Sequence, residues 1–408
     1  MVLNAGGDFP PDIRVEKEAR ALADAGHDLR IFSQRFTDLA PTVEHLPALG
    51  ATVFREAIQG RAGWRIASAV RSMCMYEWQW RAPLRRHLEV YPTDVLHVHD
   101  LLLVPVVLDV AARFGVPVVA DLHENMPAAM RAVRSDIPPV RWLAEAIVWN
   151  YGLMRLLERR ALRRCERVVV VVPEAAQRLR EYGIPPERIV VVSNTEDEST
   201  FRFDPEDADP AILARYRGRV VASYVGGMGV HRGLDTVLDA VPAIFREVPR
   251  FLLLIVGADP RARRAMEERA RALGVADAVA TLGWEPFRTV NSYVMASDVC
   301  LVPHNDFEHT QTTIPHKLFQ YMICAKPVLV SDCRPLARVV DAAGAGRVFT
   351  AGSPESFARE MIWMAEHPEA CAAMGRRGRE AALTTFSWKR DALRLQSMYA
   401  ALAGDAHP

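Results

Sequence analysis

No stretch of about 18 residues in this chain stays apolar without a charge, so nothing in it qualifies as a membrane-spanning helix. Its opening stretch, MVLNAGGDFPPDIRVEKEAR, lacks the apolar core of a secretory signal. The chain is therefore expected to start within its first strand and to work in the cytoplasm. Cysteine is sparse and scattered: Cys74, Cys165, Cys300, Cys324, Cys333 and Cys371 form no Cys-x-x-Cys pair and no recurring Cys/His spacing. That argues against a disulfide framework or a zinc module and fits reduced thiols. Net charge is also missing, since 50 Lys plus Arg balance 50 Asp plus Glu. No global field favours nucleic acid or an anionic membrane, and any such attraction must be local. Lysine itself is scarce, with four residues in the whole chain, a composition that points to a GC-rich bacterial source.

What is present is hydrophobic residue in quantity, 50% of 408, and enough length for two cores. Short apolar runs alternate with amphipathic stretches, as expected of strands buried on both faces and joined by helical crossovers. In the first half the strands read VLNAG (2–6), DLRIFSQ (28–34), ATVFRE (51–56), DVLHVHD (94–100), PVVADLH (117–123), RVVVVVP (167–173) and IVVVSN (189–194). FDPEDADPAILARYRGR then reads as a linker. The theme repeats in VVASYVGG (220–227), RFLLLIVG (250–257), VATLGW (279–284), DVCLVPH (298–304), PVLVSD (327–332) and RVFTAG (347–352). The expected architecture is α/β, with two Rossmann-like doubly wound parallel-sheet domains over 1–203 and 204–385 and a terminal helical segment, 386–408.

In such sheets the ligand lies at the carboxyl ends of the strands, so the residues there carry the functional reading. Gly6 and Gly7 follow the first strand, ahead of an amphipathic helix with Val15, Ala19, Leu22 and Ala23 on one face; a backbone approach to ligand and a plain tight turn both fit. DVLHVHD delivers His97, His99 and Asp100, and DLHEN delivers Asp121, His123 and Glu124, to the same sheet edge. A polar pocket orienting sugar hydroxyls is the preferred reading, beside structural capping of the loops or a zinc site. In the second half, YVGGMGVHRGLD places Gly226, Gly227 and Gly229 after a strand and Arg232 before a helix, a combination suited to phosphate. It is not a Walker loop, because no Gly-Lys-Ser/Thr follows. In HNDFEHTQTTIPHKLFQYM, Thr313 is expected to cap a helix with Pro315 in its first turn, and Lys317 and Gln320 share one face. One diphosphate accounts for both segments.

The segments DIRVEKEARALADAGH, DVLHVHD, VVADLHE, RIVVVSNTED, YVGGMGVHRGLD, DVCLVPH, TIPHKLFQYMICAKPVLVSD and TTFSWKRDALRLQSMY together resemble the retaining GT-B glycosyltransferases of family 4, over nearly the whole chain. The resemblance implies a nucleoside diphosphate sugar held on the second domain, an acceptor on the first, transfer with retention, no required metal or other cofactor, and a last helix returning to the first domain. It implies that Arg232 and Lys317 hold the diphosphate, that His123 lies near the transferred sugar, and that Gly226, Gly227, Gly257, Thr312, Thr313, Leu318 and Gln320 complete the donor site. Gly6, Gly7, His99, Asp100, Asp121 and Glu124 would line the acceptor side. Two places depart from the pattern: Thr312 and Gln320 stand where the family commonly has glutamates, and His316 stands where a subgroup with a PNKLFEYM-like motif often has asparagine. An amide has one oxygen to accept with where a carboxylate has two, which bears on ribose binding. A nucleotide-sugar epimerase and a non-catalytic nucleotide-sugar-binding module are the competing classes.

One surface feature concerns the acceptor. Trp142, Ile147, Trp149 and Leu153 alternate with Arg141, Arg155, Arg159, Arg160, Arg163 and Arg164, a composition found both in helices lying on a membrane surface and in ordinary core helices with solvated arginines. A peripheral contact with the inner membrane face, where a lipid-linked acceptor would be met, is the functional expectation; nucleic acid is not an expected partner.

Overall fold

The computed structural model describes residues 1–3, 8–58, 74–133, 149–198, 201 and 208–405. The chain divides into two compact units, Met1–Ser193 with Lys389–Pro408, and Asn194–Trp388. The division precedes residue 203 because the segment after the last strand of the first unit is tied into the second: Asn194 Nδ2 donates to the Ile314 carbonyl at 2.8 Å.

The first unit is built on eight strands: β1 (Val2–Leu3), β2 (Leu29–Gln34), β3 (Val43–Leu46), β4 (Ala51–Glu56), β5 (Leu96–His99), β6 (Val118–Leu122), β7 (Arg167–Val170) and β8 (Ile189–Val191), in the order β3-β4-β2-β1-β5-β6-β7-β8. Every neighbouring pair is parallel except β3 with β4. β3 escaped the sequence reading for a physical reason. It is an edge strand whose residues alternate between exposed and half-buried, so it carries no buried apolar run.

The second unit holds β9 (Val220–Val225), β10 (Phe251–Val256), β11 (Val279–Leu282), β12 (Val299–Val302), β13 (Val328–Ser331) and β14 (Gly346–Phe349), all parallel, in the order β11-β10-β9-β12-β13-β14. Counted along the chain this is the 3-2-1-4-5-6 order of doubly wound nucleotide-binding sheets, with its reversal between β9 and β12. β10 is buried along its whole length. Val237, Leu238, Val241 and Ile244 of helix Leu234–Glu247 pack on it, and Phe357 and Met361 of helix Pro354–Glu366 complete that layer of the core. The expected linker is partly helical: Asp209 caps Pro210–Arg215, accepting from Ala211 N at 2.8 Å, while 202–207 lie outside the described residues.

Helix Trp388–Asp405 starts at the last residue of the second unit and is counted with the first from Lys389 onward. There Gln396 Nε2 donates to the Ala21 carbonyl at 2.6 Å, and the Tyr399 hydroxyl meets His97 Nδ1 at 2.7 Å.

The arginine-rich run lies partly outside the described residues, Arg141, Trp142 and Ile147 included. Where described, three of its arginines bond the protein's own chain. Arg159 Nε and Arg163 Nε donate to the Tyr182 carbonyl at 3.0 and 3.1 Å, and Arg155 Nε to the Tyr182 hydroxyl at 3.1 Å. These side chains therefore help fix helix Tyr151–Leu162, and they do not form a simple solvated patch. Among the described residues no helix is long and apolar enough to cross a membrane.

The sheet spacing leaves its own test. Gly346 on β14 faces Val328 on β13, and a Cβ there would sit 1.8 Å from the Val328 carbonyl oxygen. Gly346→Ala is expected to cost about 2 kcal/mol or more and to lower the thermal midpoint by about 4–8 °C; an unmoved midpoint would show that the pair relaxes freely.

Candidate active site

The second unit gathers its charged residues at the strand reversal. β9 ends at Val225, and Gly226 follows with φ of 130°, a conformation that disfavours any side chain. A Cβ on Gly226 would lie 2.7 Å from Lys317 Nζ, and one on Gly257, just after β10, would lie 2.9 Å from the Gly226 carbonyl oxygen. These two bare positions let an ammonium and a second strand end approach the same backbone. Lys317 Nζ also rests 3.6 Å from the centre of the Tyr224 ring, whose hydroxyl donates to the Gly227 carbonyl at 2.7 Å.

The loop continues through a short turn, Val230–Arg232, to Gly233, whose φ of 68° and missing Cβ admit the Pro303 carbonyl from the end of β12. Asn305 Nδ2 bonds the Val230 carbonyl at 2.8 Å and locks the two loops together. Arg232 Nη1 then donates to His304 Nε2 at 3.0 Å. A guanidinium has only donors, so the proton of this imidazole sits on Nδ1, which is buried without a partner among the described residues. Burial pushes His231 down to about 3 and His304 well below the ordinary 6.5, with Arg232 the next cause for both. Burial and then Arg232 likewise hold Lys317 well below the usual lysine range. The neighbours acting on His304 are Arg232, Lys317, His231 and His309, so each is a cation or another imidazole. Among the described residues this desolvated cluster has no counterion, and it is suited to a diphosphate.

Several expectations need correction here. Thr313 does not cap a helix: Pro315 precedes helix His316–Ile323, no side chain caps it, and Thr313 closes the preceding turn Thr310–Thr312. Pro315 therefore stands outside that helix, not in its first turn. The open helix N-terminus remains a place for an anion. Thr312 Oγ1 donates to the Glu308 carbonyl at 2.8 Å and is buried, so its hydroxyl is already engaged. Leu318 is fully buried and belongs to the core. Gln320 is half-buried, and its Nε2 donates to Glu196 Oε1 at 3.0 Å. Glu196 escaped the sequence reading because nothing in its local pattern marks it as buried beside this helix.

The first unit concentrates polar groups in a different way. Arg14 donates to both oxygens of Asp121, at 3.0 and 3.1 Å, and lies 3.0 Å from Glu18 Oε1, all within the core. His97 Nε2 stands 3.4 Å from both Glu18 and Asp121. His99 Nδ1 meets His123 Nε2 at 3.0 Å, and His123 Nδ1 lies 3.7 Å from Asp100, itself at a φ of 70°. Burial opposes charge on Asp121, yet Arg14 and then His123 hold its carboxyl well below the usual range. Burial, with the Asp121 charge next, raises Glu18 well above it.

The expected rim therefore splits into two layers. His99 and Asp121 are buried supports, while His123, Glu124 and Asp100 are half-buried above them. Gly6 and Gly7 lie outside the described residues. Single ligand atoms of Glu18, His97, His99 and Asp121 fall within 4.8 Å of one another, close enough to hold a metal ion. Arg14 supplies positive charge to both carboxylates. Arg14 and Glu18 were missed because charges four apart on an amphipathic helix ordinarily face water, and only their place beside Val15 and Ala19 could have flagged them.

Comparison with known proteins follows this geometry. A family model described as "Glycosyl transferase 4-like domain" matches residues 11–195, and one described as "Glycosyl transferases group 1" matches 219–367. The chain belongs to the family 4 glycosyltransferases. A D-inositol 3-phosphate glycosyltransferase from Thermobispora bispora is 26% identical, over 97% of this chain and 90% of that one. The MMP alpha-(1->4)-mannosyltransferase of Mycolicibacterium hassiacum is 23% identical, over 95% and 93%. Among solved structures, the sucrose-phosphate synthase of Thermosynechococcus elongatus matches with a TM-score of 0.77 at 18% identity, covering 99% of each chain. Anabaena HepE in complex with UDP-glucose matches with 0.71 at 14%, covering 98% of this chain and 99% of that one. The fold is that of the GT-B glycosyltransferases.

Two outcomes are expected of this glycosyltransferase. Gly226→Ala should displace Lys317 and weaken pyrophosphate binding about tenfold or more in calorimetric titration, with the circular dichroism spectrum kept; equal affinity would separate Lys317 from the anion. The second outcome concerns pH. His231, held at about 3, His87, at about 4, and His97, His99 and His304 all bind protons less well than the ordinary 6.5, chiefly through burial. The unfolded chain takes up more protons below 6.5, so this stabilisation is complete above that value and declines as pH falls toward the folded values. Glu18 and Asp100, both raised chiefly by burial, act in the opposite sense, two groups against these five. The thermal midpoint should fall steadily from about pH 6.5 to about pH 5; a flat profile would contradict neutral imidazoles.

Proposed function

We propose that this glycosyltransferase moves a sugar from a nucleoside diphosphate sugar to a carbohydrate or lipid-linked acceptor, with retention at the anomeric carbon, in the biosynthesis of a surface glycan or glycolipid in the cytoplasm. The observation that carries the proposal is the convergence of Arg232, Lys317 and the neutral imidazoles of His231 and His304 at the β9–β12 reversal, with cations and imidazoles as the neighbours acting on His304. HepE, of like fold, has been solved with UDP-glucose, and several relatives are named for glycosyl transfer to D-inositol 3-phosphate, which supports both halves of the reading.

The chemistry follows from charge. The bond from the anomeric carbon to the phosphate oxygen breaks, and negative charge grows on the departing diphosphate. Arg232, Lys317 and the open N-terminus of helix His316–Ile323 stabilise that charge in a partly water-excluded setting. The acceptor hydroxyl oxygen forms the new bond to carbon, and its proton passes to the leaving phosphate oxygen. No protein nucleophile and no metal are needed. On the acceptor side, His99 fixes the ring of His123 through the 3.0 Å contact, with Nδ1 of His123 3.7 Å from Asp100.

Arg232→Ala is expected to lower turnover about 100-fold or more while leaving the thermal midpoint nearly unchanged, measured with whichever of a panel of UDP-, GDP- and ADP-sugars binds in calorimetry. Unchanged turnover would remove this cluster from the reaction.

A further inference from the structure

Three buried polar atoms of the first unit have no hydrogen-bond partner among the described residues: Glu18 Oε2, His97 Nε2 and His99 Nε2. Their side chains are at most 3% exposed. The fold brings them together from separate elements. Glu18 lies on the buried face of helix Ile13–Asp24, with Val15, Ala19 and Leu22. His97 and His99 are two apart on β5 and so share one face of the sheet, and His99 is in register with Asp121 on β6.

The spacing of these groups does not suit a plain hydrogen-bonded network. His97 Nε2 stands 3.4 Å from both Glu18 Oε2 and Asp121 Oδ2, and His99 Nε2 stands 4.0 Å from Glu18 Oε2. Direct N–H···O bonds would close to about 2.7–3.2 Å. Four ligands arranged tetrahedrally, each about 2.0–2.1 Å from an ion, lie about 3.3–3.5 Å from one another. Arg14 takes Glu18 through Oε1, while Oε2 is the atom turned to the imidazoles. A carboxylate oxygen has two acceptor sites, so Asp121 Oδ2 can meet the Arg14 guanidinium and an ion together.

The far sides of the two imidazoles supply an independent sign. A histidine that binds metal through one nitrogen ordinarily gives the N–H of the other to a fixed partner. His97 Nδ1 meets the Tyr399 hydroxyl at 2.7 Å, and His99 Nδ1 meets His123 Nε2 at 3.0 Å. In both rings the partnered nitrogen is Nδ1 and the unpartnered one is Nε2, on the side of the carboxylates. We infer that Glu18, His97, His99 and Asp121 form a closed, structural site for a divalent transition-metal ion of the Zn2+ class. Two imidazoles and two carboxylates suit Zn2+, whereas Mg2+ and Ca2+ call for more oxygen ligands. The ion would tie helix Ile13–Asp24 to β5 and β6 and fix His99 with its proton on Nδ1. His123 then accepts on Nε2 and carries its own proton on Nδ1, the nitrogen toward Asp100.

The test uses the full chain, stripped with a chelator and titrated with Zn2+ against a chromophoric competitor. One equivalent should bind and raise the thermal midpoint by about 5 °C or more, and Mg2+ should do neither. Glu18→Gln and His97→Gln should each weaken Zn2+ binding about 100-fold or more with the circular dichroism spectrum kept. Tyr399→Phe, which leaves every ligand in place, should weaken it about 10-fold or more. Should the ligand variants fail to fold, X-ray absorption of the Zn2+-loaded wild type decides, with nitrogen and oxygen alone expected at about 2.0–2.1 Å. Failure to bind an equivalent, a sulfur neighbour in the absorption spectrum, or Zn2+ affinity that ignores Glu18→Gln and His97→Gln would each overturn the inference. An equal response to Mg2+ would overturn the assignment of the ion.

Discussion

Two cations kept close together and partly dried, with no carboxylate paired to either among the described residues, are the constraint on which the second unit turns. Lys317 and Arg232 repel, and burial weakens the hold of Lys317 on its proton. Such an arrangement persists only because rigid backbone imposes it: three glycines admit the approach, the Tyr224 ring face receives the ammonium, and His304 takes up one guanidinium N–H. An arriving anion relieves the repulsion and strengthens the hold of Lys317 on its proton. The strand order explains the location, because the loops after β9 and β12 meet where the order reverses, the usual ligand position in a doubly wound sheet.

The first unit answers the same physical problem in the opposite way. Its polar cluster is as buried, yet Arg14 is matched by Asp121 and Glu18, and the imidazoles of His97 and His99 fill the remaining space. Here a guanidinium sits among the carboxylates, so the cluster carries both signs. Its product is order, since it holds His99 in place and His99 in turn holds His123 where the sheet ends. The two units thus show how similar residue types give a binding site in one case and a rigid support in the other, the difference being whether the charges close on themselves.

Much of this was legible in the sequence, and the failures share a cause. The parallel strands announced themselves as apolar runs, and the glycines and arginine after β9 stood out because turn chemistry is local. β3, at the sheet edge, had no buried run to show. Arg14, Glu18 and Glu196 owe their importance to partners far along the chain, Asp121, His97 and Gln320, and no window of sequence contains both members. Thr312 and Thr313 failed differently. A threonine before a helix is a good cap on average, but here a tight turn ending at Thr312 took the hydroxyl of Thr312 and placed Thr313 too far from the helix start. The arginines at 155, 159 and 163 looked free because Tyr182, which gathers them, follows in another helix connection.

The tie between Tyr399 and His97 also sets an order of events in the growing chain. His97 emerges early, but the hydroxyl that meets its Nδ1 is made 302 residues on, after all of Asn194–Trp388, about 15–60 s later at ordinary synthesis rates. Through that interval the first unit lacks helix Trp388–Asp405, and the Ala21 carbonyl and His97 must find water or a chaperone in its place. The second unit has all of its strands by then and no such wait, so the half of the protein made last is the first that can be complete.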